Sequence, residues 1–587
     1  MVATIVGVVP VRIGFGDFRL IRLIASWFSS IALGLLVAGP LAAMGVCALL
    51  DRAPDGEVRA SLFPVAIAAL DPFVWACVRN SVVVAGLAAS TAMVAGVVVG
   101  RLIGDRAFRL RGPALLLLTA LAATPSVALA MGASAAVGDD AATAWSTILS
   151  RSERATRHLP ADAGWLLWLL AASLPGAAAA TLAYAWALDR LDPAWRDAAR
   201  LAGADGTRAW RRLAWPLLRP AMARVGGLVF AVTLADPGPP LILGLRRTLG
   251  FQMASAAFDA APFPRLAVLG LLALLACATA RATLRLWAGP TRLVGPPRRD
   301  RDGGRARPAA SWPRVVVLST LLGSGAILAA VPLGGLARAA FDGGESGFRS
   351  AAIVPRLADP AVTRLLFRSI VLGLGVAILA AISGRALGGL EAGAGPAASG
   401  RFRRLARLLA PPPMVAGVVV LAFGFLIGLA AETVDSRSSI ATRRLVEGLD
   451  GERLGLATVI LGVWLATVAS RLDGRRPPLA TGTAECRDAA TLAGAGRSGA
   501  RRLARGGFGS GRWRAAAATV ATAAVNVAPA VVLASSAHSA TIGPGLLLFH
   551  ERPGGGAAIA ASLALIATAA NLASAFLDPD EPDGRTG

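Results

Sequence analysis

Long apolar segments recur along the entire chain and constrain its fold more than any other feature. About twelve segments of roughly 18 or more residues carry hardly a charge, and each is long enough to cross a hydrocarbon core of about 30 Å. The sequence therefore predicts an all-α polytopic membrane protein with about twelve transmembrane helices. The segments are 25–50, 80–100, 113–137, 163–188, 221–244, 262–288, 313–337, 365–390, 405–430, 454–470, 514–535 and 556–577.

The basic residues indicate which side of the membrane each loop faces. With the N-terminus inside and twelve alternating spans, 40 of the 59 basic residues fall on the inner side, while the acidic residues divide almost evenly. The entire net charge of +24 then lies on the inner side. Because loops rich in basic residues stay in the cytoplasm, we expect both termini of the chain to be cytoplasmic.

Lysine is absent from the sequence, and this absence excludes several functions. All 59 basic residues are Arg. A phosphate-binding P-loop needs a Lys after its glycines, and Schiff-base catalysis needs a Lys amine. Any ATP hydrolysis must therefore come from a separate chain, and this chain is predicted not to be an enzyme. Exclusive use of Arg also indicates high-GC coding, which points to a bacterium and its inner membrane.

The other chemistry-bearing residues are scattered. The three His fall in predicted outer loops, and the four Cys show no CxxC spacing. The sequence therefore predicts neither a metal site nor a disulfide framework, and we expect no cofactor on this chain. The Arg residues are spread over many short segments and the chain has one Tyr. We therefore expect contact with anionic lipid head groups and no nucleic acid.

A short polar element occurs twice. Asp197-Ala198-Ala199 is followed by Gly203, and 291 positions later Asp488-Ala489-Ala490 is followed by Gly494. Both copies lie in Arg-rich stretches between apolar segments, on the inner side. An internal repeat of this length indicates a duplicated architecture. With an even number of spans in each half, the two six-helix repeats have the same orientation, related by an axis along the membrane normal.

This repeat sets the predicted domain boundaries. A Pro-, Gly- and Arg-rich stretch on the inner side separates the halves and is predicted to be a flexible linker. The domains are 1–74 with the first transmembrane helix, 75–290 as the first membrane domain, 291–312 as the linker, 313–359 with the seventh helix, 360–577 as the second membrane domain and 578–587 as the tail.

The first copy predicts two short helices. Asp192-Pro193 is typical of a helix start, and the helix would break near Gly203, since glycine tolerates left-handed backbone. A second helix, about 207–215, would end near Pro216. Small side chains on the first helix would let another protein approach closely. The alternative is a linker helix lying on the membrane surface.

The spacing of the first copy resembles a known motif. Asp-Ala-Ala, then Gly203, then Pro216 thirteen residues later is similar to EAA-x3-G-x9-I-x-L-P of binding-protein-dependent ABC importer permeases, with Asp197 in place of Glu, Leu213 of Ile and Trp215 of Leu. Further similarity lies in Asn80-Ser81, in Pro125 and its counterpart Pro413, and in the Asp236-Pro237-Gly238 stretch. The fused layout resembles ferric-iron, thiamine and 2-aminoethylphosphonate permeases.

This resemblance implies a division of labour. The EAA loops of the family dock on a partner ATPase, so two ATPase subunits and an extracytoplasmic substrate-binding protein become the expected partners, and the substrate is ferric iron or another small solute. The residues implied in ATPase coupling are Asp197, Ala198, Ala199, Gly203, Pro216, Asp488, Ala489, Ala490 and Gly494. The second copy is one residue shorter and lacks the Pro, so its contact with an ATPase is expected to be weaker or altered.

Asp236 is the single carboxylate that we place inside a span. Ionisable residues within the membrane are costly and are functional hypotheses by default. Asp236 could meet a cationic substrate or a proton, or it could cap a helix broken beside Pro237. Its repeat counterpart is Asn526, before Pro529. We keep both residues as candidates for the substrate pathway.

Two other classes of function remain open. A secondary transporter would couple transport through buried charges, for which one Asp in twelve spans is thin support. A membrane scaffold that transports nothing would have no need of twin cytoplasmic elements. An ABC importer subunit is therefore the leading prediction.

Overall fold

The chain is described by a computed structural model that is predominantly α-helical. The described residues are 42–52, 58–105, 111–136, 163–189, 199, 201–203, 206–258, 263–289, 312–341, 355, 358–393, 415–422, 426, 456, 459–465, 541–550 and 556–577.

The elements follow one another along the chain with few strands. In chain order they are α1 (42–48), β1 (Leu50–Arg52), β2 (Val58–Ala60), α2 (Phe63–Leu70), α3 (Pro72–Asp105), α4 (Arg111–Ala123), α5 (Ser126–Ala136), α6 (Ala163–Asp189), α7 (Gly206–Ala209), a π-helical segment (Trp210–Ala214), α8 (Trp215–Leu234), α9 (Gly238–Ile242), α10 (Leu249–Phe258), α11 (Phe263–Ala288), α12 (Trp312–Phe341), α13 (Pro360–Gly393), α14 (415–422), α15 (459–465), α16 (Ile542–His550) and α17 (Gly556–Leu577).

Seven helices among the described residues are long and apolar enough to cross a membrane. They are α3, α6, α8 together with α9, α11, α12, α13 and α17. Large apolar side chains on their outer faces are open to the surroundings: Val94, Ile327 and Phe367 are each more than 60% exposed. A soluble surface rarely carries so much exposed apolar area. The chain is therefore a multi-pass, all-α membrane protein, apart from the antiparallel β1–β2 hairpin.

Several predicted spans lie outside the described residues. The segment 514–535 does so entirely, and 25–50, 405–430 and 454–470 do so for most of their length. The tail at 578–587 also lies outside the described residues, and so does the linker at 291–312 apart from Trp312. The predicted spans at 80–100, 163–188, 262–288, 313–337, 365–390 and 556–577 correspond to single long helices.

The predicted span at 113–137 is not one straight helix. It is the pair α4 and α5, whose axes differ by 91°. The break falls at Thr124 and Pro125, because proline lacks the N–H of a helix interior and disfavours helical backbone in the residue before it. The sequence predicted one segment long enough to cross the membrane and did not predict this bend.

Two contacts join segments of the chain that are far apart in sequence. α12 crosses α5 so closely that a Cβ atom built on Gly132 would meet the carbonyl oxygen of Pro332, and one built on Gly335 would meet the carbonyl oxygen of Gly132. In the reciprocal contact, α1 reaches α14, where the Cys47 thiol donates to the carbonyl oxygen of Ala422 at 3.6 Å. The N-terminal and C-terminal parts of the described chain are therefore packed against each other at these two places.

Two of the long helices begin in the same way. α3 and α13 are both 34 residues long. The Phe73 N–H donates to Asp71 Oδ1 at 2.8 Å, and the Ala361 N–H donates to Asp359 Oδ1 at 2.8 Å. Each Asp precedes a Pro, and the two Asp lie 288 positions apart. A carboxylate that accepts a hydrogen bond from a free N–H group in the first turn is a common N-terminal cap of a helix.

The crossing of α5 and α12 generates a test on one helix. We expect Gly335→Ala to lower the free energy of unfolding by about 1–3 kcal/mol, because the added methyl overlaps the backbone of α5. Gly325 lies on the same helix, and a Cβ atom there has nothing within 4 Å. Gly325→Ala should therefore be neutral or stabilise by about 0.5–1 kcal/mol. Thermal unfolding in detergent measures both, and equal melting temperatures would contradict the close crossing.

Candidate functional site

The first copy of the repeated element contains a helix break at the position that the sequence predicts. Asp197 and Ala198 lie outside the described residues. Ala199 is buried, whereas Leu201 is 90% exposed and Gly203 is exposed. Gly203 has a φ of +69°, and a Cβ atom built there has nothing within 4 Å. The backbone conformation alone therefore favours glycine at this position.

The chain after Gly203 differs from the prediction. The second short helix does not end near Pro216: α7 passes into the π-helical segment and then directly into α8. Pro216 is exposed and stands in the first turn of α8. The π-helical turn closes with a bond from the Trp215 N–H to the carbonyl oxygen of Trp210. Pro216 has no N–H, and the irregular π-helical turn before it accommodates this. The loop is therefore continuous with the transmembrane helix α8.

The second copy is not among the described residues. Asp488, Ala489, Ala490 and Gly494 all fall outside them, and so does Asn526. Their predicted roles remain predictions.

Asp236 lies in a break between α8 and α9. Its side chain is buried, and its Oδ1 accepts a hydrogen bond from the Gly238 N–H at 3.0 Å. Its Oδ2 accepts a hydrogen bond from the hydroxyl of Ser126, the first residue of α5. Asp236 thus joins the break that precedes α9 to the break between α4 and α5.

This geometry favours the local interpretation of Asp236. Both carboxylate oxygens already accept hydrogen bonds from the protein, which offsets the cost of burial. The backbone around Asp236 is also tightly packed: a Cβ atom on Gly250 would lie 2.6 Å from the Asp236 carbonyl oxygen, and one on Gly238 would lie 2.9 Å from Val127 Cβ. Contact between Asp236 and a substrate stays a prediction.

A pair of buried serines makes the same hydrogen bond in two places. Ser81 on α3 accepts from the Leu249 N–H at 2.9 Å, and Ser369 on α13 accepts from the Ile542 N–H at 2.8 Å. The two Ser are 0% and 1% exposed. Each bond ties a long helix to the N-terminus of a short one, α10 or α16. The first N–H groups of a helix have no acceptor within the helix, and each serine hydroxyl supplies an acceptor for one of them.

The sequence carries a signal for this pair. Thr248-Leu249-Gly250 is repeated as Thr541-Ile542-Gly543, and Ser81 and Ser369 lie 288 positions apart. The family resemblance includes Ser81 but indicates no partner for its hydroxyl. Its bonding partner is 168 residues away, so no local pattern joins the two.

The short helices of the two parts of the chain meet. α9, which Asp236 begins, contacts α16, whose N-terminus Ser369 holds. Pro239 and Pro240 of α9 are buried, as are Leu546 and Leu547 of α16. The contact is apolar and closely packed. Within the described residues, no group of three or more His, Cys, Asp or Glu is arranged to hold a metal ion.

Comparison of the chain with protein-family models, with curated proteins and with solved structures found no match.

The serine–amide bonds generate a prediction with a built-in control. Ser81→Ala and Ser369→Ala should each lower the free energy of unfolding by about 1–3 kcal/mol, because each leaves a buried N–H without a partner. Ser562 is also buried, but its hydroxyl donates to the Ala558 carbonyl of its own helix at 2.8 Å. Ser562→Ala should be nearly neutral. Equal melting temperatures for all three variants would contradict the proposed importance of the two bonds.

Substitution of Asp236 separates its two interpretations. Asn retains an oxygen for the Gly238 N–H and an amide that can pair with Ser126, so Asp236→Asn should unfold close to the wild type. Asp236→Ala removes both acceptors and should cost about 1–3 kcal/mol. The readout is the melting temperature in detergent. If Asp236→Ala unfolded at the same temperature as the wild type, the two hydrogen bonds would not stabilise the break and the capping interpretation would be wrong.

Proposed function

We propose that this chain is the membrane subunit of an ATP-driven importer of the binding-protein-dependent ABC type. The observation that carries the proposal is the exposed loop at Leu201–Gly203, which has a left-handed glycine and leads without interruption into the transmembrane helix α8. Leu201 is exposed beside Ala202 and Gly203, so a partner protein can approach this loop closely. A loop continuous with a span can pass on movement of that partner.

The proposed architecture has twelve spans in two tandem six-helix repeats of the same orientation. Three pairs of features support it: the Asp-Pro starts of α3 and α13, the serine–amide bonds of Ser81 and Ser369, and the contacts of α1 with α14 and of α12 with α5. In this architecture both polar elements and both termini face the cytoplasm of a bacterial cell, and the chain lies in its inner membrane.

ATP hydrolysis belongs to partner chains in this proposal. Two ATPase subunits bind the loops at 197–203 and 488–494, and their closure rocks the two halves against each other. A separate binding protein delivers the substrate, ferric iron or another small solute, to the outer side. α9 and α16, which contact each other, close the pathway on that side.

A secondary transporter is the second candidate. Among the described residues, the buried charged side chains are Asp236 and Arg281. Because both oxygens of Asp236 accept hydrogen bonds from the protein, it is poorly placed to exchange a proton or a cation during transport. This observation favours coupling through the cytoplasmic loops over coupling through buried charges. A scaffold without transport activity would not need the two repeated cytoplasmic loops.

Two glycines with positive φ allow a matched test of docking. Gly203→Val should reduce the ATPase retained by the affinity-purified chain by on the order of tenfold, because a β-branched residue resists left-handed backbone by about 1–2 kcal/mol. Gly289 follows α11 with a φ of +74° and equally open surroundings. Gly289→Val imposes the same strain at another place and should retain the ATPase.

The measurement is the amount of bound ATPase together with vanadate-sensitive ATP hydrolysis by the purified complex. Deletion of 197–203, which leaves the π-helical segment in place, should abolish both. If Gly203→Val and the deletion left both quantities unchanged, the loop would not be the docking site. Absence of any ATPase from the wild-type chain would favour the secondary transporter.

A further inference from the structure

Trp210 is held by side chains from two transmembrane helices. Its indole N–H donates a hydrogen bond to the hydroxyl oxygen of Tyr184 at 2.9 Å, and the guanidinium carbon of Arg101 lies 4.6 Å from its ring centre. Tyr184 belongs to α6, is fully buried and is the only Tyr in the chain. Arg101 belongs to α3. The first residue of the π-helical segment is therefore fixed to both helices.

Trp215 extends this contact to a third helix. It stacks on Trp210 with ring centres 5.4 Å apart and meets Trp287 of α11 edge-on at 5.9 Å. The guanidinium carbon of Arg219 lies 5.7 Å from the rings of both Trp215 and Trp287. Aromatic pairs and cation–π contacts are directional, so they fix orientation as well as distance.

The π-helical backbone makes the stacking of the two tryptophans possible. In an α-helix, side chains three and four positions apart share a face, whereas those five apart point in different directions. The wider turn at Trp210–Ala214 closes a bond over five residues and brings Trp210 and Trp215 face to face. Turns of this kind are rare and occur frequently at functional sites. We call Arg101, Tyr184, Trp210, Trp215, Arg219 and Trp287 the tryptophan joint.

We propose that the tryptophan joint transmits movement of the docking loop to α3, α6, α8 and α11, so that these helices move as one body. The joint lies between Gly203 and α8 and contacts the other three helices at the end that the charge pattern places in the cytoplasm. This inference rests on the proposed function. In it, Trp210 is a positioning residue: it holds the loop in fixed relation to the spans and does not itself contact the ATPase.

Rigidity of the joint can be measured without any partner. Leu201 and Leu286 are 90% and 84% exposed and accept spin labels after Leu→Cys substitution in a chain whose native cysteines are replaced. The wild-type joint should give a narrow distance distribution between the labels. Trp210→Ala should make it at least about twice as wide. Trp165→Ala is the control, since it removes an aromatic pair with ring centres 5.6 Å apart at the other end of α6.

Transmission is measured in the complex with the ATPase in nanodiscs. Labels at Leu70 and Phe367, which are both exposed, report the distance between the two halves before and after trapping with ATP and vanadate. Trp210→Ala should bind as much ATPase as the wild type yet lose the distance change. Trp210→Phe and Tyr184→Phe remove the same hydrogen bond, so each should reduce the change equally, and their combination should reduce it no further.

The outcomes separate this inference from the proposed function. A wild-type chain that binds no ATPase overturns the proposed function, and the transmitting role with it. A bound ATPase with an undiminished distance change in Trp210→Ala overturns the joint alone. The joint is equally overturned if Trp210→Ala loses the ATPase, since the cluster then shapes the docking surface, or if the Leu201–Leu286 distribution stays narrow.

Discussion

The fold depends on supplying hydrogen-bond partners wherever a helix breaks within apolar surroundings. Lipid offers no substitute for a lost backbone bond, so each break needs a protein partner. The hydrogen bond between the Ser126 hydroxyl and the Asp236 carboxylate connects two helix breaks. Ser81 and Ser369 each accept a hydrogen bond from the first N–H of a short helix. The bonds of Ser126, Ser81 and Ser369 each join segments that are more than 100 residues apart in the chain. The breaks are therefore also the places where the arrangement of the long helices is fixed.

The features that the sequence predicted correctly depend on one local property. The existence of α3, α6, α11, α12, α13 and α17 follows from the length of an apolar segment, because a helix that crosses lipid has almost no alternative. The break at Gly203 follows from the tolerance of glycine for left-handed backbone. The Asp236 cap was one of two interpretations, and a carboxylate two residues before a free N–H is sufficient to suggest it.

The features that the sequence did not predict depend on distant partners or on geometry between neighbours. Pro125 is visible in the sequence, but a proline alone does not determine the 91° angle between the axes of α4 and α5. Pro216 suggested a helix end, yet the chain continues as a helix from the π-helical turn before it into α8. The two serine–amide bonds join residues 168 and 173 positions apart, which is beyond any periodicity. The coupling residues 488–494 and Asn526 remain predictions from spacing alone.

The close crossing of α5 and α12 has a consequence for how the chain is made. α5 emerges from the ribosome long before α12, yet a Cβ atom on Gly132 would meet the backbone of α12. This contact forms only after α12 has been synthesised, so the packing around α5 is completed late in synthesis. Because both helices belong to one chain, the covalent connection keeps α12 near its partner in the membrane.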